Sequence, residues 1–150
     1  MHSMEFKNFQ MQFLYSLLDI PLHGTECRAR NRFVRIISER AGEIEKERIA
    51  LNEKYADKKK PKLDNGNYNI TPAKLEKFKK EYEDLMNEKF VIDILPSNKD
   101  DIGLVKNLIF NSQKGLNIFE GQMYEQICQA FETQQPNNGM GQKSKKQGTA

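Results

Sequence analysis

The chain has 150 residues, of which 37% are hydrophobic and 30% charged. That suits one domain with a small core and much helix surface in water, rather than several domains. No apolar run approaches the ~20 residues that span a bilayer, and no charged segment followed by an apolar one marks a secretory signal, so a cytoplasmic protein without a membrane role is expected. The net charge of +3 excludes a polycation.

Met1-His2-Ser3 reads as an appended leader, so the fold is expected to start at Met4. Residues 4–8 alternate enough for a short strand, and Phe13, Leu14, Leu17 and Leu18 mark a helix that Pro21 stops. A single helical pattern then runs over residues 25–57, with Thr25 as its N-cap. Val34, Ile37, Ala41, Ile44, Leu51 and Tyr55 recur at steps of three and four, with Arg48 in the slot between Ile44 and Leu51. This is a heptad seam that must lie against another helix. Arg48 is expected to lie over Tyr82 or to pair with a nearby carboxylate and so fix register. Gly42 interrupts the helix at a cost of about 1 kcal/mol relative to alanine, which a closely packed neighbour would explain.

Lys58-Lys59-Lys60-Pro61 ends the long helix, and Asp64-Asn65-Gly66-Asn67 is a turn. Thr71-Pro72 opens a second helix over residues 72–89, whose seam is Leu75, Phe78, Tyr82 and Leu85. The short connection makes the pair an antiparallel hairpin. The second helix is about 27 Å long at 1.5 Å per residue, so it covers only the distal half of the first. Residues 90–95 form a strand that can pair with residues 4–8. Helices over 99–112 and 120–132 follow, with a disordered polar tail over 133–150. The expected fold is mainly α with a minor two-stranded element: a long helical hairpin packed on shorter N- and C-terminal helices. Residues 4–132 form its one domain.

Arg28, Arg30, Arg32 and Arg35 crowd the start of the long helix, where cations oppose the helix dipole. Arg28, Arg32 and Arg35 share a face; Arg30 points elsewhere. Guanidinium forks bind phosphate or carboxylate bidentately, so all four, Arg30 included, are candidate anion- or partner-binding residues. The alternative is a solvated face paired with Glu26, Glu39 or the acidic C-terminal third. Lys58–Lys62 and the tail lysines could touch nucleic acid, but no aromatic residues are interleaved for stacking, so nucleic acid is not favoured. No catalytic motif, metal-ligand set or cofactor loop is present; His23, Cys27 and Cys128 make a poor zinc set. Cys27 and Cys128 read as reduced, buried thiols.

Leu22-His23-Gly24 followed by Cys27-Arg28-Ala29-Arg30 resembles the opening of a small uncharacterised protein family of Gram-positive tailed phages and prophages. The likeness continues through residues 43–55, the Asp64–Tyr68 turn, Val91-Ile92-Asp93 and the closing residues 123–132. Cys27 stands where serine is usual. The resemblance implies phage or prophage origin, in the region of tail and lysis genes, and carries over no catalytic residue. A non-enzymatic accessory protein acting by protein–protein contact in virion assembly or lysis is therefore expected, in the host cytoplasm or with the virion. The alternatives are an inhibitor of a host protein, such as a defence component, and a nucleic-acid-binding accessory factor. An exposed seam at Cys27 to Ile37 would favour a homodimer.

Overall fold

The computed structural model describes residues 2–133 and the strand pair 135–136. Strand β1 (His2–Lys7) leads through a 3-10 turn into helix α1 (Met11–Leu18). The long helix α2 (Gly24–Tyr55) follows, then α3 (Pro72–Asn87), β2 (Lys89–Ile94), α4 (Lys99–Phe110) and α5 (Ile118–Glu132). A two-residue strand β3 (Gln135–Pro136) closes the order. The protein is mainly α with a small antiparallel sheet, and α2 packs on α3 and on α4.

β1 pairs with β2 from His2↔Ile94 to Lys7↔Lys89, and β3 adds to the other side of β1 at His2 and Ser3. The strand thus starts before Met4: Ser3 is buried and His2 is in register, so these residues belong to the fold. β3 likewise lies within the segment read as a disordered tail. The remainder of that segment, apart from Thr133, lies outside the described residues.

The strands set the core by simple alternation. Met4 and Phe6 on β1 face the same way as Ile92 on β2, and all three are buried. Helices cover that face: Met11, Leu14, Leu17 and Leu18 from α1, Phe33 and Ile37 from α2, Ile102, Val105 and Ile109 from α4, Ile127 and Phe131 from α5. Phe131 meets Phe6 edge-on at 5.7 Å between ring centroids and Phe33 at 6.0 Å. The other sheet face carries Glu5, Lys7, Lys89, Val91 and Asp93, with a Lys89–Glu5 ion pair at 3.3 Å.

α2 has two packing zones. Its proximal half buries Ala29, Phe33 and Ile37 at steps of four. This stripe shares Ile37 with the seam read from the sequence but is centred elsewhere: Val34 and Ile44 are half-buried against the core and Ala41 is exposed. The shift arises because the proximal half lies in the body of the protein, against α4 and α1, rather than against one partner helix. The covered stripe removes the need for a second copy over Cys27 to Ile37.

The distal half runs beside α3. Tyr55 meets Phe78 edge-on at 6.3 Å, Phe78 stacks on Tyr82 at 6.1 Å, and Lys54 pairs with Glu81 at 3.0 Å. Leu85 is buried, Leu51 half-buried and Leu75 exposed. Arg48 pairs with Glu45 one turn earlier on its own helix, at 2.7 Å, in the neighbourhood of Tyr82 and Tyr68. The register of the two helices is therefore tied by Lys54 and Glu81 and by the aromatic rings, not by an Arg48 bridge.

Helix ends follow local chemistry. The N-cap of α2 is two residues earlier than the expected threonine: His23 takes that place and Gly24, at φ +54, makes the entry bend. Few side chains other than glycine adopt that region cheaply. In the hairpin loop, Gly66 at φ +88 allows the turn closed by its N–H donating to the Leu63 carbonyl, and Lys62 bridges Tyr68 across it. α3 opens at Thr71-Pro72 and ends at Asn87, where β2 takes over. α5 begins at Ile118 because Asn117 and Glu120 form a reciprocal capping box, at 2.8 and 3.1 Å.

Gly42 has open space where a Cβ would stand, so no close neighbour requires glycine in mid-helix. Gly42→Ala is expected to raise stability by about 0.5–1 kcal/mol in urea unfolding, from helix propensity alone. Unchanged or lower stability would show a packing role at this position.

Candidate arginine contact face

The four arginines near the start of α2 do different things. Arg30 is half-buried and turns toward the end of α1. Its Nη1 donates to the Leu18 and Ile20 carbonyls at 2.6 and 2.8 Å, and its Nε donates to Asn31 Oδ1 at 2.8 Å. A helix end leaves its last carbonyls without intrahelical donors, and a cation there is favoured by the dipole. Arg30 is thus the C-terminal cap of α1, supplied from another helix, and is not on the exposed patch.

Arg32 reaches across to α4. Its Nε and Nη2 donate to the two carboxylate oxygens of Asp101 at 2.6 and 2.7 Å, a bidentate fork. Asp101 is in the first turn of α4, where a carboxylate is also favoured by that helix dipole. The Arg32 hydrogen bond holds the Asp101 carboxyl below the usual aspartate range, against a smaller opposing effect of burial. Arg32 therefore clamps α2 to α4, within the acidic C-terminal third that the sequence named as its alternative partner.

Arg28 and Arg35 are what remains of the patch. They lie seven residues apart on one face of α2, both exposed, and neither makes an ion pair or side-chain hydrogen bond among the described residues. Glu39 follows one turn after Arg35, exposed and likewise without an ion pair. Arg28 and Arg35 together present two free forks on a rigid helix whose other side is fixed by Ala29, Phe33 and Ile37. Such a pair can take a carboxylate or phosphate group with little ordering cost to the backbone, since the helix is already set.

The remaining polar groups are quiet. The Cys27 sulfur lies 3.8 Å from Arg30 Nη2 and from Asn31 Nδ2, and the side chain is half-buried. Cys128 is also half-buried rather than enclosed, and burial pushes its thiol up. Tyr124 is raised by burial too, and its hydroxyl donates to the Ile109 carbonyl at 2.7 Å. Among the described residues no three histidine, cysteine or acidic side chains gather as a metal site. No helix among them is long and apolar enough to cross a membrane.

Two apolar residues escaped sequence reading. Ile118 and Phe119 are 83% and 69% exposed, the most exposed large apolar side chains described. The signal was in the chain: the Asn117…Glu120 capping box puts both in the first turn of α5, ahead of its buried stripe at Ile127 and Phe131. An open groove of about 380 Å3 between α1 and α2, lined by Met11, Tyr15, Ile37, Ala41 and Ile44, lies on the side of α2 away from Arg28 and Arg35. No protein-family model matches the chain, and neither a curated protein nor a solved structure matches it.

Two predictions separate the roles. Arg30→Ala should cost about 1 kcal/mol or more in denaturant unfolding, because the Ile20 carbonyl loses its donor, while the Leu18 carbonyl keeps only the Ile20 N–H. Arg28→Ala and Arg35→Ala should each stay within about 0.5 kcal/mol of wild type. Asp101 carries a pH signature. Its folded-state pKa lies below the unfolded one, so its contribution is present above the ordinary aspartate pKa. That contribution is lost as pH falls through the depressed folded value. Wild type should therefore lose stability through that acidic window more steeply than Asp101→Asn, as read by thermal unfolding at a series of pH values.

Proposed function

We propose that this chain is a non-enzymatic accessory protein of phage or prophage origin that works by protein–protein contact, with the Arg28/Arg35 face of α2 as its docking surface for an acidic protein. The observation that carries the reading is the division of labour among the four arginines. Arg30 and Arg32 are spent on the fold, whereas Arg28 and Arg35 stay exposed and unpaired among the described residues on the same helix. A carboxylate-bearing partner satisfies both forks, with electrostatic steering of the encounter. Exposed Ile118 and Phe119 supply a second place where contact would bury apolar surface. The phage origin rests on the likeness around residues 22–30 and on the weaker segments that follow. Virion assembly or the lysis region is the setting it suggests.

The test is co-purification of the tagged full chain from infected cells, with Arg28→Glu/Arg35→Glu as the comparison. Wild type should retain a defined protein partner that the double variant loses, while both unfold at the same temperature. Retention of every partner by the double variant sinks the reading.

A further inference from the structure

The opposite end of the hairpin has a different chemistry. Residues 54–80, which span the end of α2, the loop and the start of α3, hold nine lysines, no arginine and three acids. The net charge of that end is +6, twice that of the whole chain, and the remaining residues sum to −3. In the sequence these lysines fall into two separated groups, and neither group is exceptional. The fold puts them together: Lys54 pairs with Glu81, Tyr55 meets Phe78, and the Asp57 N–H donates to the Asn69 carbonyl at 2.8 Å. The lysine run after α2 therefore sits beside the first turns of α3.

Most of this charge is free. Lys58, Lys59, Lys77, Lys79 and Lys80 are exposed and make no ion pair among the described residues. Two of the three acids are already engaged: Asp57 accepts from the Lys60 N–H, and Asp64 pairs with Lys60 at 3.4 Å. Of the three acids, Glu76 has no ion pair or hydrogen-bond partner for its side chain among the described residues.

We propose that this lysine tip docks on the phosphate backbone of duplex DNA. Charge complementarity carries the inference, and residue type narrows it. An ammonium on a flexible stem meets a phosphate oxygen as a point charge and needs no fixed fork geometry, which suits a repeating backbone of phosphates. The aromatic rings select duplex over single strand. Tyr55, Phe78 and Tyr82 pack on one another, and Lys62 lies over Tyr68 at 4.9 Å, so none is presented as a platform for an unstacked base. Contacts of this kind position a protein on DNA without reading its sequence. The surface is independent of the arginine face: the two lie at opposite ends of a helix ~48 Å long.

Fluorescence anisotropy of a labelled 24-base-pair duplex, titrated with the full chain over a salt series, tests this. Binding should weaken about a hundredfold between 50 and 200 mM salt if four phosphates are neutralised. Lys58→Gln/Lys59→Gln/Lys77→Gln/Lys80→Gln should flatten the slope of log affinity against log salt by roughly one for each phosphate contact removed. Arg28→Glu/Arg35→Glu should leave the slope unchanged, so the two surfaces fail or succeed separately. No binding by wild type at 50 mM salt overturns the proposal, as does an unchanged slope in the folded glutamine variant. Tighter binding to single-stranded DNA, or equal binding to polyglutamate, overturns it as well.

Discussion

Phe131 is where the three layers of the protein meet. Its ring touches Phe6 from the sheet and Phe33 from the long helix, and it sits at 1% exposure near the end of the last helix. A strand, the proximal half of α2 and the C-terminal helix each bury one aromatic ring against the same point. Remove that convergence and the sheet loses its cover, the start of α2 loses its floor, and the arginines above it lose their fixed direction. The exposed guanidinium pair is informative only because the opposite side of the same helix is held so firmly.

A second junction connects this body to the arm. Asn8 is buried at 2% exposure, and its N–H and side-chain amide are satisfied by the end of α3 and by α2. Its backbone N–H donates to the Glu88 carbonyl, its amide donates to the Leu85 carbonyl at 2.7 Å, and its Oδ1 accepts from Arg40 Nε at 3.2 Å. A buried polar group of this kind is costly unless fully paired, so the geometry around Asn8 is specified closely. Beyond it, the arm is thin: its rings are half-buried, and the body holds nearly all the fully buried side chains. The protein is thus a firm base carrying a slender projection, with arginine chemistry at one end of α2 and lysine chemistry at the other.

Much of the architecture was legible, because local signals agreed with the global fold. Thr71-Pro72 announces a helix, Asn65-Gly66 a turn, and the β-branched run after Phe90 a strand that alternates in step with β1. The helical hairpin and the minor sheet follow from those alone. What was hidden depended on which neighbour each side chain meets. Phe33 was passed over because a heptad drawn for one partner helix skips it, while the real environment of the proximal half has several partners. Arg48 occupies a core-like slot yet turns back to Glu45. The four arginines look alike in sequence; only the positions of the Leu18 and Ile20 carbonyls and of Asp101 decide which stay free. Asn8 looked like the last residue of a strand, and no one-dimensional pattern marks a buried amide that joins three elements.

The pairing of β1 with β2 brings together segments separated by roughly eighty residues, which would ordinarily make closure slow and entropically expensive. Here the intervening chain shortens its own path. The turn at Gly66 folds α3 back along α2, so the start of β2 lies near the body. A helical hairpin built from local contacts can form early and reduce the effective loop that the strands must close. In the folded chain the hairpin is thus a short bridge between the two strands, and Phe131 of the last helix closes the core against Phe6 of the first strand.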